Sequence, residues 1–216
     1  MHPLLNTIAP TYLAPTTSIK GWQFDECFGL FETIGSMHNV SEWAVFGIDN
    51  GRFTGAFTEK AWLEMLDYYS PEDRVAKCLF ALVPDEPMDA AGTLALFKKY
   101  HKIVRDAGYP VGFATQNGMT PEMVPWEEID TLFVGGDDWH KRKKEGGKLI
   151  AEGLKRDKWI HVGRVNSGTA IRELFWMAHS WDGTTLARHP RQQYAKIGRE
   201  VRWVRTLGKE QGRLLT

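Results

Sequence analysis

The chain has 216 residues, 43% of them hydrophobic, and its 27 Lys and Arg balance 27 Asp and Glu. That length and mixture suit one compact globular domain. No apolar run approaches the ~18 residues of a membrane helix. The opening Met1–Pro15 lacks the basic-then-apolar pattern of a signal peptide. Cys27 and Cys78 form no CxxC pair, which argues against a disulfide framework and a cysteine-rich zinc site, and makes a cytoplasmic setting the simplest reading.

The charge is unevenly spread. Residues 1–100 carry seven Lys/Arg and thirteen Asp/Glu, whereas residues 188–216 carry eight Lys/Arg and two Glu. Such asymmetry fits a polyanion partner on one side of the molecule, or an ordinary solvated basic helix.

In chain order, short apolar runs alternate with amphipathic stretches. The runs are 11–15 (TYLAP), 43–51 (WAVFGIDNG), 78–85 (CLFALVPD), 111–118 (VGFATQNG), 131–136 (TLFVGG), 159–167 (WIHVGRVNS) and 179–184 (HSWDGT). Each reads as a buried parallel strand. Between them, 59–69 sets Trp62, Leu63, Leu66 and Tyr69 on one helical face, and 90–107 does so with Leu94, Phe97, Tyr100, Ile103 and Val104. Helices are also expected over 148–156 and 169–178. A basic C-terminal helix over about 190–206 carries Tyr194, Ile197, Val201 and Val204 inward, and Arg199, Arg202 and Arg205 outward. Seven strands, or eight, alternating with helices make an α/β protein with a parallel sheet, either a barrel or an open doubly wound sheet.

The unusual polar residues fall at strand ends: Asp49 and Asn50, Asp85, Gln116 and Asn117, Gly135 and Gly136, Arg164 and Asn166, and Asp182. Any one of them could be a helix cap or turn former. Six such ends in succession favour a single-domain (β/α)8 barrel over residues 1–216, because only a closed barrel brings all its C-terminal strand ends to one face.

At these strand ends the sequence resembles the guanine transglycosylases, closest to the 7-deazaguanine DNA transglycosylases of phages and bacteria. IDNGRFTG is similar to the segment carrying the family's general acid/base aspartate and an aromatic four residues on, here Asp49 and Phe53. VPDEPMD is similar to the segment whose aspartate reads the guanine edge, here Asp85. FATQNG corresponds to the base-binding glutamine, here Gln116, and TLFVGGDDW to the Gly-rich segment over the base, here Gly135 and Gly136. HSWDGTTLAR resembles the nucleophile segment, here Asp182 with Arg188 six residues on. The ordered set spans residues 44–190. The zinc subdomain of the tRNA enzymes, built on three cysteines and a histidine after the nucleophile, has no counterpart here, since no cysteine follows Cys78. VPD, GGDDW and HVGRVNS also look closer to the DNA-acting relatives.

The implied activity exchanges guanine in DNA for a free 7-deazaguanine base by double displacement, with no cofactor. Breaking a C1′–N bond passes through an oxocarbenium-like state. A carboxylate near C1′, Asp182, would steady that charge and form a covalent glycosyl intermediate. A second carboxyl, Asp49, would protonate the leaving guanine. Guanine's N1–H and 2-amino group match the bidentate fork of Asp85. Gln116 and the backbone at Gly135 and Gly136 would meet the opposite edge, and Phe53 would stack on the base.

The target nucleotide must be flipped out or single-stranded. Lys141, Arg142, Lys143, Lys144, Arg164, Arg188 and Arg191 are candidate phosphate partners. Trp139 and Trp181 are candidates for stacking or for the core. By alternation His161 points into the barrel, as a satisfied core residue or a functional one. Competing readings are a tRNA-guanine transglycosylase, a metal-dependent barrel hydrolase or isomerase using Asp49, Asp85, Asp182 and His161 as ligands, and a binding module without turnover.

Overall fold

The computed structural model describes residues 2, 9–14, 25–37, 44–137, 141, 144–174 and 176–214. Eight parallel strands close into a barrel in sequence order, β1 pairing with both β2 and β8. They are β1 (Thr11–Ala14), β2 (Phe28–Glu32), β3 (Phe46–Ile48), β4 (Cys78–Leu82), β5 (Val111–Ala114), β6 (Thr131–Val134), β7 (Trp159–Val162) and β8 (Ser180–Asp182). The helices are α1 (Glu59–Tyr68), α2 (Glu72–Val75), α3 (Ala90–Asp106), α4 (Lys144–Lys155), α5 (Gly168–Leu174), α6 (Thr185–Arg188) and α7 (Pro190–Leu214). This is the (β/α)8 barrel expected from the strand ends.

The strands alternate between two apolar layers, as a period of two requires. Leu13, Phe31, Phe80, Leu82, Ala114 and Trp159 form the inner packing, joined by Phe133. Tyr12, Phe28, Leu30, Phe46, Ile48, Phe113, Leu132, Val162 and Trp181 face the helices, whose buried stripes include Trp62, Met65, Phe97, Tyr100, Leu149, Ile197 and Val201. Thr58 caps α1 by accepting from Ala61 N–H at 3.1 Å, and Asp89 caps α3 by accepting from Ala91 and Gly92 N–H. These caps satisfy donors that the first helical turn leaves unpaired.

The structure corrects several expectations. The strand missing from the seven is β2. FGLFE has no β-branched residue, begins just after Asp25 and Glu26 and ends in Glu32, so it carries a weak strand signature. Helix α4 begins at Lys144 and continues through Gly146 and Gly147, because burial of Leu149 and Ile150 outweighs the poor propensity of glycine. Helix α5 spans Gly168–Leu174 and residues 176–177 form a turn, so it falls short of Ala178, while α7 runs to Leu214, beyond the expected 206.

The arginines of α7 do not all point outward. Arg205 is largely covered and donates to Pro10 O at 2.7 Å and to Glu26 O. Arg202 pairs with Asp25 at 3.0 Å, and Arg172 and Arg199 flank the buried carboxylate of Glu200. Asp25 and Glu26 precede β2, so Arg202 and Arg205 clamp the N-terminal face of the barrel. The charges of Arg202 and Arg205 are therefore engaged by partners within the fold, on the side away from the strand ends that carry Asp49 and Asp182.

Candidate active site

A cleft of 430 Å³ opens at the C-terminal ends of the strands. Asp49, Phe53, Asp85, Gln116, Gly135, Gly136, Arg164, Asp182 and Arg188 all line it. Its floor is apolar, made of Phe31, Leu82, Ala114 and Phe133. Size and lining fit a small ligand held by a few polar groups.

Asp49 follows β3, where Phe46 and Ile48 face the helices and Gly47 and Asp49 turn inward. Its backbone N–H donates to Glu32 O at 2.8 Å, and its carboxylate accepts from Asn50 N–H at 2.9 Å. Burial, then the negative charges of Asp182 and Asp85, push its carboxyl up to about 7. A group poised there can give a proton and take one back near neutrality.

Asp85 is held from both sides. Its Oδ1 accepts from Asn50 Nδ2 at 2.8 Å, and its Oδ2 from Gln116 Nε2 at 2.6 Å. Burial still raises its pKa, against those two hydrogen bonds. A carboxylate has about four lone-pair directions, so this clamp fixes the plane of Asp85 and leaves acceptor capacity for a ligand. Gln116 is itself pinned, because its Oε1 accepts from Met88 N–H at 2.9 Å. One amide hydrogen of Gln116 remains for a ligand in the cleft.

At the end of β6, the Gly135 N–H donates to Thr115 Oγ1 at 3.3 Å rather than into the cleft. A Cβ on Gly135 would lie 2.6 Å from Thr115 O, and Gly136 has φ +78°, so each position needs glycine for its own reason. Arg164, at φ +57°, donates its backbone N–H to Asp182 Oδ1 at 3.1 Å. Its guanidinium lies 4.4 Å from the centre of the Phe53 ring and donates to Gly136 O, bridging the ends of β3, β6 and β7 across the mouth. Phe53 and Met88 are exposed at the rim.

The candidate phosphate partners divide. Arg164 and Arg188 are exposed and line the cleft; Arg191 is exposed in the first turn of α7. Lys141 is a correction. It is buried, and its ammonium donates to Gly163 O at 2.8 Å, bracing the end of β7 instead of reaching solvent. Arg142, Lys143, Trp139 and the side chain of Lys144 lie outside the described residues. Trp181 is fully buried against the helices.

Three contributors escaped the sequence reading in whole or part. Asn50 is buried and donates to both Val83 O and Asp85. Its place beside Asp49 was the available signal. Ser180 accepts from Trp159 Nε1–H at 2.8 Å and lies 2.8 Å from His161 Nδ1. His161 is inside the barrel as alternation implied, and its Nε2 lies 2.9 Å from Asp182 Oδ1. It is therefore both a satisfied core residue and a partner of the candidate nucleophile.

A larger groove of 720 Å³ lies outside the barrel, between α4 and the turns at Pro121–Met123 and Trp126–Glu128, and contains none of the strand-end aspartates. No group of three or more His, Cys, Asp or Glu is placed to hold a metal ion among the described residues. Nor is any described helix long and apolar enough to cross a membrane.

Neither a family model nor a curated protein sequence matches the chain. Solved structures do. The 3-hexulose-6-phosphate synthase of Salmonella typhimurium aligns over 90% of this chain and 99% of its own, at 12% identity and TM-score 0.53. A putative fructose-1,6-biphosphate aldolase from Coccidioides immitis aligns over 94% and 89%, at 10% identity and TM-score 0.54. The tryptophan synthase A-subunit of Pyrococcus furiosus aligns over 90% and 97%, at 12% identity and TM-score 0.52. At such low identity these likenesses speak for architecture alone: the chain folds as a single-domain (β/α)8 barrel of the TIM type.

Proposed function

We propose that the protein is a pentosyltransferase that exchanges guanine in DNA for a 7-deazaguanine base. The observation that carries this reading is the gathering of three aspartates from the ends of β3, β4 and β8 in one cleft, with the Asp49 carboxyl held at about 7. Each then has a distinct task. Asp182 attacks C1′. Asp49 protonates the departing base and later deprotonates its replacement. Asp85, flattened between Asn50 and Gln116, accepts from the N1–H and 2-amino group of guanine. Adenine has no such pair of donors and would leave the remaining acceptor positions of this half-buried carboxylate unmatched, which discriminates against it.

The apolar floor and the Phe53–Arg164 pair at the rim suit a flat base, and Arg164 and Arg188 suit the adjoining phosphates. DNA is favoured over tRNA by the resemblance of VPD, GGDDW and HVGRVNS to the DNA-acting relatives. The metal-ligand alternative is not favoured, because Asp85 is engaged by two amides and His161 by Ser180 and Asp182.

The test is a base-exchange assay. DNA or tRNA carrying labelled guanine is offered with 7-cyano-7-deazaguanine, and release of label is followed. Release from DNA that needs the deazaguanine is expected. Release from tRNA alone would move the reading to the tRNA enzymes, and release from neither would overturn it.

A further inference from the structure

The buried centre of the barrel holds a polar chain that the strand-end residues alone do not explain. His161 is enclosed by three phenylalanines from β2, β4 and β6, with ring centres at 5.8 Å for Phe31, 4.8 Å for Phe80 and 4.7 Å for Phe133. Within that apolar box it has two polar neighbours, both on β8: Ser180 at Nδ1 and Asp182 at Nε2. The Asp182 carboxylate is the charged group that acts on it.

The directions of these hydrogen bonds follow from donor and acceptor inventory. Trp159 Nε1–H can only donate, so Ser180 Oγ accepts from it and keeps its own proton to give. An ionised Asp182 can only accept, so the imidazole proton sits on Nε2. Nδ1 is then a lone pair that receives the Ser180 hydroxyl. Burial lowers the histidine's pKa from its ordinary value, against the opposing pull of Asp182, so the ring is neutral and one tautomer fits. The chain runs Trp159 N–H to Ser180 O–H to His161 Nε2–H to Asp182 Oδ1.

We infer that His161 is a positioning residue for Asp182, and that the chain Trp159–Ser180–His161 selects which carboxylate oxygen attacks. This rests on the base-exchange reading. Oδ1 accepts from two fixed donors, His161 Nε2–H and Arg164 N–H at 3.1 Å. Oδ2 is left as the nucleophile. In the first step an Oδ2 lone pair forms the bond to C1′ and the C1′–N bond breaks. Its electron pair leaves with guanine, which takes the Asp49 proton. The second step reverses this with the incoming base. His161 exchanges no proton in either step. It holds the carboxylate in line and takes up charge density at Oδ1 without competing for Oδ2. Misplacing a nucleophile by about 1 Å can cost ~10²-fold in rate.

Two measurements test this, and the first needs no substrate. Nitrogen-15 NMR of the histidine rings should find His161 neutral with its proton on Nε2 at pH 7 to 8, and the preference should weaken in Asp182→Ala. A proton on Nδ1, or a charged ring at pH 7, would overturn the inference whether or not base exchange is detected. The second compares His161→Gln, which keeps a donor near Nε2, with His161→Phe, which fills the box and donates nothing. For folded variants with unchanged melting profiles, His161→Phe should lose ~10²-fold in kcat with KM for DNA within about threefold. His161→Gln should recover at least tenfold of that, and Ser180→Ala should fall between them. Equal kcat in the Phe and Gln variants would refute a positioning role. Absence of exchange in the wild type would refute the base-exchange reading instead, leaving the tautomer to decide the chain itself.

Discussion

Asp49 and Asp182 stand at the ends of β3 and β8 and share one cleft, and the charge on Asp182 is, after burial, the largest influence raising the Asp49 carboxyl to about 7. The two carboxyls are thereby made unequal. One can carry a proton near neutrality. The other has its Oδ1 fixed by the His161 Nε2–H and the Arg164 backbone N–H. Acid and nucleophile roles are commonly divided by this kind of difference in surroundings.

We predict different fates for the two asparagine variants. Asp182→Asn retains an Oδ1 that can accept from His161 and Arg164, so it should fold and bind DNA, yet form no covalent adduct. Asp49→Asn keeps the nucleophile and should accumulate some adduct while turnover falls by about 10²–10⁴-fold. Trapping on DNA under denaturing conditions, with the wild type alongside, checks both. An adduct in Asp182→Asn would place the nucleophile elsewhere.

The raised Asp49 carboxyl sets a pH dependence for the first step. On the base-exchange reading, release of guanine requires the protonated form of Asp49, so the single-turnover rate should fall as pH rises through about 7. Single-turnover rates between about pH 6 and 8.5 provide the check: no inflection near 7 in the wild type would remove Asp49 as the acid.

The same group links stability to pH. Its folded pKa lies above the ordinary 3.8, so its contribution is fully present below that value and is lost as pH rises through about 7. At pH 8 the ionised Asp49 should be a burden. Asp49→Asn should then raise the melting temperature by about 2–4 °C, corresponding to on the order of 1 kcal/mol, with a smaller gain at pH 5.5. Calorimetry at the two pH values measures this.

Acid should loosen the other end of the barrel. His2 and His179 flank Trp159, with ring centres at 5.1 Å and 5.0 Å. Burial lowers both pKa values, His179 to about 4. Stability from keeping these rings neutral is present above 6.5 and is lost as pH falls toward the folded values. The urea midpoint should therefore drop between pH 7 and 4.5. His179→Asn, which can still accept from Ile160 N–H, should flatten that slope; an unchanged slope would exclude His179 as its source.

Gly135→Ala should destabilise by roughly 1–3 kcal/mol, because its Cβ would meet a backbone oxygen that has little room to move. Gly147→Ala offers a control, since a Cβ there meets nothing within 4 Å. Thermal melts of the pair should differ clearly in direction, the second being neutral or slightly stabilising.

The sequence by itself determined the strand–helix alternation and the place of the polar residues at strand ends, which favoured a barrel over an open sheet, but it missed β2. Six runs that stop in polar residues or glycine can bring all those ends to one face only if the sheet closes, and Asp49, Asp85, Gln116, Gly135, Gly136 and Asp182 do line one cleft. Local patterning carried that far because strand period and strand termini are properties of short segments. Only the tertiary structure decided what each group faces. Lys141 reads as a surface cation beside Arg142 and Lys143, yet its ammonium is drawn onto the Gly163 carbonyl. Arg205 reads as the outer face of a helix, yet it closes onto Pro10 and Glu26, nearly two hundred positions earlier in the chain. The partners of Asp182 depend on β7 lying beside β8 with His161 opposite Ser180. That register follows from barrel closure and inner packing, which no stretch of sequence displays alone.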